Sequence, residues 1–153
     1  MMRPPRDPKM PILTGVLIWR LFIVGLLLLV GAFGLFEWEL KTGASVAEAR
    51  TVAVNVFVLV EVFYLFNCRS LTQSMFRLGL FTNPLLFGGV AIMLVLQVMF
   101  TYLPVMNLMF HSAPISFGAW GRILAVSVFA SFVVGVEKWL RRRSAERRVL
   151  QFQ

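Results

Sequence analysis

The stretch that decides the fold is 13–36, LTGVLIWRLFIVGLLLLVGAFGLF, in which Arg20 is the single charged residue. It is longer than the roughly 20 apolar residues with which an α-helix crosses a hydrocarbon core of about 30 Å. Three further apolar stretches follow, at about 51–66, 84–103 and 120–140. We therefore predict an all-α integral membrane protein, with four transmembrane helices bundled in a membrane domain over 13–140.

Composition points to the same class. Of the 153 residues 59% are hydrophobic, with a mean hydropathy of +0.81, whereas soluble domains contain about 45–50% apolar residues. The net charge of +8 does not indicate a nucleic-acid partner, because the basic residues flank the apolar stretches and form no basic face on a soluble domain. The first partner that the composition predicts is the lipid bilayer.

The basic residues also predict an orientation, because lysine and arginine accumulate on the cytoplasmic side of membrane proteins. With the N-terminus inside, twelve of the 15 lysines and arginines lie on the cytoplasmic side, and Lys41, Arg50 and Arg122 lie outside. Both termini are then cytoplasmic, with 1–12 a link and 141–153 a basic tail. The twelve cytoplasmic residues are Arg3, Arg6, Lys9, Arg20, Arg69, Arg77, Lys138, Arg141, Arg142, Arg143, Arg147 and Arg148.

Motifs for catalysis or cofactor binding are missing from the sequence. It contains neither G-x-x-x-x-G-K-[ST] nor G-x-G-x-x-G, the glycine-rich loops that bind phosphates. One histidine, His111, and one cysteine, Cys68, cannot build a histidine-based catalytic triad or a cysteine-rich metal site. We predict no catalytic residue and no resident cofactor in this chain.

Glu61 is the candidate binding residue, because it lies within the second apolar stretch. A carboxyl group there is costly unless it is protonated, paired or bound to a cation, so such residues commonly have a function. Helical periodicity places Asn55 about 120° away from Glu61. The residues on the same face as Glu61 are Val54, Phe57, Val58, Tyr64 and Leu65. We expect Glu61 to be a cation or metal ligand whose partners come from other helices. The alternative is a protonated Glu61 hydrogen-bonded across the bundle.

Three other polar residues of the apolar stretches have structural interpretations. Arg20 is expected to extend its side chain to the headgroups. Gln97 is expected to form an interhelical hydrogen bond, and Glu137 to pair with neighbouring Lys138. None of them is predicted to be a ligand.

Four segments together resemble the C-terminal membrane region of P-type cation pumps of the calcium and sodium/potassium branch. MMRPPRDPKMPIL (1–13) is similar to the link between the sixth and seventh pump helices, and ARTVAVNVFVLVEVFYLFNCRS (49–70) to the eighth helix. FTNPLLFGG (81–89) resembles the start of the ninth helix, and WGRILAVSVFASFVVGVEKWLRR (120–142) the tenth. The resemblance implies that the four spans are pump helices seven to ten, and that Glu61 matches a glutamate that binds the cation in calcium pumps.

The resemblance also implies what a complete pump needs beyond this sequence. The phosphorylated aspartate in D-K-T-G, the nucleotide domain and the helices that supply most cation ligands do not occur in the 153 residues. ATP and magnesium would act in those other parts, which become the expected partners. The implied role is to brace the transport helices of a pump in the plasma membrane, as a fragment inactive alone, for a cation such as calcium.

A second function class remains open from the sequence. A four-helix chain with one membrane carboxyl group also suits a stand-alone protein, either an accessory subunit or a proton-coupled transporter that works as an oligomer.

Overall fold

The computed structural model describes residues 15–68 and 84–150, and within these ranges the secondary structure consists of helices joined by short turns. Four of its five helices are long and apolar enough to cross a membrane, which confirms the predicted fold class. Three expectations stay predictions, because they concern residues outside the described ranges or the membrane itself. They are the orientation in the membrane, the link 1–12 and the loop before Pro84. The helices are α1 (Gly15–Lys41), α2 (Val46–Cys68), α3 (Pro84–Tyr102), α4 (Pro104–Phe110) and α5 (Phe117–Leu150).

Helix α1 continues five residues beyond the predicted end of the first span at residue 36. It stops at a Schellman motif, in which Gly43 N–H donates to Leu40 O at 3.2 Å and Ala44 N–H to Glu39 O at 3.0 Å. Gly43 has a φ of +90°, a conformation that glycine adopts without a Cβ clash. The chain therefore reverses direction within four residues, which makes α1 and α2 antiparallel neighbours.

Helix α2 begins at Val46 and not at the predicted residue 51, because a capping box starts it. Ser45 N–H donates to Glu48 Oε2 at 2.7 Å, and Glu48 N–H donates to Ser45 Oγ at 3.2 Å. These two reciprocal bonds satisfy backbone donors that the first helical turn leaves unpaired. Ser45 and Glu48 thus start α2 more than one turn before the predicted residue 51.

A short helix occupies part of the segment predicted as a loop at 105–119. Leu103 takes an extended conformation, φ −73° and ψ 124°, as residues before proline commonly do. This ends α3, and Pro104 then starts α4 at a position where its missing N–H costs no helical bond. Helix α4 ends at His111, whose φ of 51° places it in the left-handed region.

Helix α5 is the longest element and extends past both predicted ends of the fourth span. It starts at Phe117, where Ser116 Oγ accepts a hydrogen bond from Ala119 N–H at 3.2 Å. It continues through the predicted tail to Leu150, so the first ten residues of that tail are helical. Beyond Leu140, the guanidinium of Arg143 lies 4.1 Å from the ring centre of Trp139, a cation–π contact at the end of the apolar segment.

Helix α2 is the centre of the bundle. It packs against α1 and α5, which also contact each other, while α3 packs on α2 and α4. We call the end with the α1–α2 turn the turn end, and the end with Gly15 the terminal end. The buried core consists of Ala32 and Leu35 of α1, Val52, Val56, Leu59 and Val60 of α2, and Ile115, Ala119, Ile123 and Ala130 at α5.

Small residues at every fourth position of the fourth span, Ser127, Ser131 and Gly135, predict a closely packed helix face there. Ser127 is fully buried, and its hydroxyl donates to Ile123 O at 2.8 Å. The other two predicted members, Ser131 and Gly135, are only half-buried. At Gly31 a Cβ atom would lie 2.8 Å from Val126 Cγ1, so this glycine sets the distance between α1 and α5.

Candidate cation-binding site

Glu61 lies on an exposed strip of α2. The strip consists of Val54, Phe57, Glu61 and Leu65, and we call it the open strip. Its three apolar members are 39–42% exposed, and Glu61 is exposed as well. The two other residues that helical periodicity places on this face, Val58 and Tyr64, are half-buried, so the bundle leaves the middle of the predicted face uncovered and covers part of its edges.

The turn-end half of the open strip, Val54 and Phe57, belongs to the floor of a groove that α1 borders on one side and α3 and α4 on the other. A cavity of about 300 Å³ is lined on the α1 side by residues that include Phe33, Phe36 and Phe57. A second cavity, of about 510 Å³, is lined towards α3 and α4 by Val54, Phe100 and others. The floor and the walls are largely apolar, which suits a further helix better than water.

No ready-made metal centre surrounds Glu61. In the described ranges, no three histidine, cysteine, aspartate or glutamate residues come together as a metal site. Among the described residues, Glu61 forms no hydrogen bond or ion pair. Asn55 points elsewhere, as predicted: it is fully buried and donates to Thr101 Oγ1 of α3 at 3.1 Å.

Two ion pairs join α1 to α5, and neither was predicted. At the turn end, Arg122 Nε donates to Glu39 Oε1 at 2.9 Å, and its Nη2 donates to the same oxygen. At the terminal end, Arg20 Nη2 lies 3.5 Å from Glu137 Oε2, and both side chains are largely buried. Arg20 thus turns towards α5 rather than simply reaching for the headgroups.

A buried polar network joins α2 to α3 and to the segment before α5. Asn55 Nδ2 donates to Thr51 O at 2.8 Å, and Thr101 Oγ1 donates to Gln97 O at 2.8 Å. Thr51 Oγ1 accepts from Ala113 N–H at 3.0 Å. A side-chain hydrogen bond between α2 and α3 joins Asn55 to Thr101. The side-chain nitrogen of Gln97, which was predicted to form an interhelical hydrogen bond, has no hydrogen-bond partner among the described residues.

Comparison with known proteins explains this arrangement. The family model for the C-terminus of cation-transporting ATPases matches residues 1–140. The chain belongs to this family. Membership confirms the P-type ATPase resemblance at that level, and it agrees with the four helices that are long and apolar enough to cross a membrane.

Individual members of the family are similar over most of the chain. A probable cation-transporting ATPase F of Mycobacterium tuberculosis is 50% identical over 146 residues, which cover 95% of this chain and 16% of the relative. The cation-transporting ATPase pma1 of Synechocystis is 34% identical over 78% of this chain and 14% of the relative. Calcium-transporting ATPase 1 of Schizosaccharomyces pombe is 28% identical over 94% and 16%. The chain thus spans about one sixth of the length of these relatives.

Proposed function

We propose that this domain braces the transport helices of a cation-transporting ATPase and that Glu61 contributes one carboxylate ligand to the transported cation. The observation that supports the proposal best is the position of Glu61. It lies on the open strip, directed away from the bundle that holds it, and a carboxyl group in a membrane needs a cation, a proton or a partner. Its missing partners would be supplied by helices that cover the open strip.

The bracing role is supported by the packing around α2. The interfaces of α2 with α1 and α5 contain the buried core, and the two ion pairs join α1 to α5 at both ends. These three helices therefore form a firm support, and the open strip is the face that they present. An added helix would bury the apolar members of the strip beside Glu61 without displacing an existing contact.

The names of several relatives support a choice of the cation to test. Several are named calcium-transporting ATPases, from yeasts and from Bacillus subtilis, and carboxylate oxygens suit calcium as ligands. We infer that calcium is the first cation to test and that the plasma membrane is the site of action. ATP and magnesium would act on the cytoplasmic domains of the complete pump.

The test is Glu61→Gln in the full-length pump, with Glu37→Gln as the control. The amide keeps the size of Glu61 but loses its charge, so we expect at least a tenfold higher calcium concentration for half-maximal phosphorylation by ATP. Glu37 is a carboxylate at the turn end of α1, outside the open strip, and its variant should match the wild type. An unchanged calcium dependence in Glu61→Gln would remove this residue from the site.

A separate measurement tests whether the chain works within a pump. An immunoblot of native membranes with an antibody against the C-terminal residues should show a band about six times the size of the 17.4 kDa chain. A band at 17.4 kDa alone would contradict the proposal. It would instead favour the stand-alone alternative, an accessory subunit or an oligomeric proton-coupled transporter.

A further inference from the structure

Two buried polar atoms near the α2–α3 contact have no hydrogen-bond partner. They are Asn55 Oδ1, in a fully buried residue, and Gln97 Nε2, in a residue that is 9% exposed. Thr101 joins the two helices, because its hydroxyl accepts from Asn55 Nδ2 at 3.1 Å and donates to the main-chain carbonyl of Gln97 at 2.8 Å. Gln97 precedes Thr101 by one helical turn, so its side chain lies on the same face of α3. An unsatisfied acceptor on α2 and an unsatisfied donor on α3 thus lie at the same helix contact.

The cost of this arrangement indicates a ligand. A buried polar group without a hydrogen bond destabilises a protein by about 1–3 kcal/mol, and a membrane offers no solvent to reduce that cost. The ligand has to donate a hydrogen bond to the Asn55 oxygen and accept one from the Gln97 nitrogen. A bare cation fails the second requirement, because an N–H group repels it, and an anion fails the first.

We propose that one water molecule binds between α2 and α3, donating to Asn55 Oδ1 and accepting from Gln97 Nε2. Water meets both requirements in the smallest volume, and buried waters commonly bridge such groups. The polar network extends from this position towards the turn end. Asn55 Nδ2 donates to Thr51 O, and Thr51 Oγ1 accepts from Ala113 N–H. The water site is distinct from Glu61, which lies on another face of α2, and it does not depend on the proposed function.

The bound water holds α3 onto the bundle. Helix α3 contacts α2 far less extensively than α1 and α5 do, and most of its side chains are exposed. Each polar bridge therefore contributes a large part of its attachment. Removing the bridge should loosen α3 locally while α1, α2 and α5 stay packed.

The experiment compares Gln97→Met with Val98→Met in the full-length polypeptide in lipid nanodiscs, by hydrogen–deuterium exchange of α3. Methionine resembles glutamine in shape but cannot bind water, so Gln97→Met should speed exchange of the α3 amides about tenfold, as expected for the loss of one hydrogen bond. Val98 is 50% exposed, and its variant controls for a new methionine on α3. It should exchange like the wild type.

If no water is bound, the faster amide exchange expected for Gln97→Met should not occur. Gln97→Met would then remove an unsatisfied donor, and exchange of α3 would slow or stay unchanged, which overturns the proposal. A density map of the same nanodisc sample, at a resolution that shows ordered water, distinguishes a bound water from a direct hydrogen bond between the two side chains. A peak within hydrogen-bond distance of both atoms supports the proposal, whereas a direct bond between Gln97 and Asn55 overturns it.

Discussion

The ion pair between Glu39 and Arg122 gives the sharpest test of how α1 is held to α5. Glu39 is 5% exposed, and the Arg122 side chain is 35% exposed. The change is Arg122→Met, which keeps an apolar stem of similar length and removes the guanidinium. It leaves the Glu39 carboxylate buried without its cation.

The magnitude follows from the burial of the two partners. Breaking a fully buried pair costs about 3–5 kcal/mol, and an exposed pair contributes about 0.2–1 kcal/mol. Because water reaches Arg122 but hardly reaches Glu39, we expect Arg122→Met to lower the free energy of unfolding by about 2 kcal/mol, about 30-fold in the equilibrium constant. Glu39→Gln leaves a cation that water still reaches, so about 1 kcal/mol is expected.

The assay is a double-mutant cycle on the purified protein, unfolded by denaturing detergent in mixed micelles and followed by tryptophan fluorescence. The variant with both changes has no unpaired charge, so it should lose only about 1 kcal/mol instead of the 3 kcal/mol of independent effects. Lys41→Met, an exposed charge at the same end, should change nothing measurable. If the double variant loses the sum of the two single-variant losses in unfolding free energy, the ion pair is not their cause.

Two further predictions concern helix packing and helix ends. Gly31→Ala should cost about 1–2 kcal/mol of unfolding free energy, because the new methyl group meets Val126, whose branched side chain turns with difficulty in a helix. Gly34→Ala, where the space is open, should leave the unfolding free energy unchanged. Adding Val126→Ala to Gly31→Ala should restore stability in the same unfolding assay. Equal losses of unfolding free energy at both glycines would contradict the packing argument. Ser45→Ala should cost about 1 kcal/mol by removing the cap of α2, and Glu48→Gln, which keeps a side-chain acceptor, should cost less; the reverse order would show that the capping box does not start this helix.

Much of the fold was predictable because the membrane imposes a length on each span. Residues 13–36 could hardly be anything but a crossing helix, and the three other apolar stretches followed by the same rule. Periodicity alone also gave the face of Glu61 and the separate direction of Asn55. These features depend only on neighbours within one helix, which the sequence contains in order.

The errors occurred where contacts between distant residues decide the outcome. Glu37 and Glu39 were read as part of a polar connection, yet Glu39 is buried in a helix because Arg122, 83 residues later, neutralises it. Likewise Arg20 meets Glu137 across 117 residues. Each charge had a plausible local explanation, so no local pattern could reveal the partner.

The candidate site was predictable only in part, for a related reason. Glu61 was identifiable because a carboxyl group inside an apolar stretch is expensive wherever it lies. The unsatisfied pair at Asn55 and Gln97 was not, because it arises from the angle at which α3 meets α2. Gln97 was predicted to form an interhelical hydrogen bond, and the side-chain bond observed between α2 and α3 joins Asn55 to Thr101.

The order of charges along α1 and α5 also bears on how the chain enters the membrane. Each of these helices has its arginine nearer the N-terminus and its glutamate nearer the C-terminus, at Arg20 and Glu39 and at Arg122 and Glu137. Antiparallel neighbours then match opposite charges at both ends. If α5 were inserted upside down beside α1, arginine would face arginine and glutamate would face glutamate, and Glu39, Arg20 and Glu137 occupy sites that water hardly reaches. The same four residues that fasten the finished bundle therefore penalise a topological error during biogenesis.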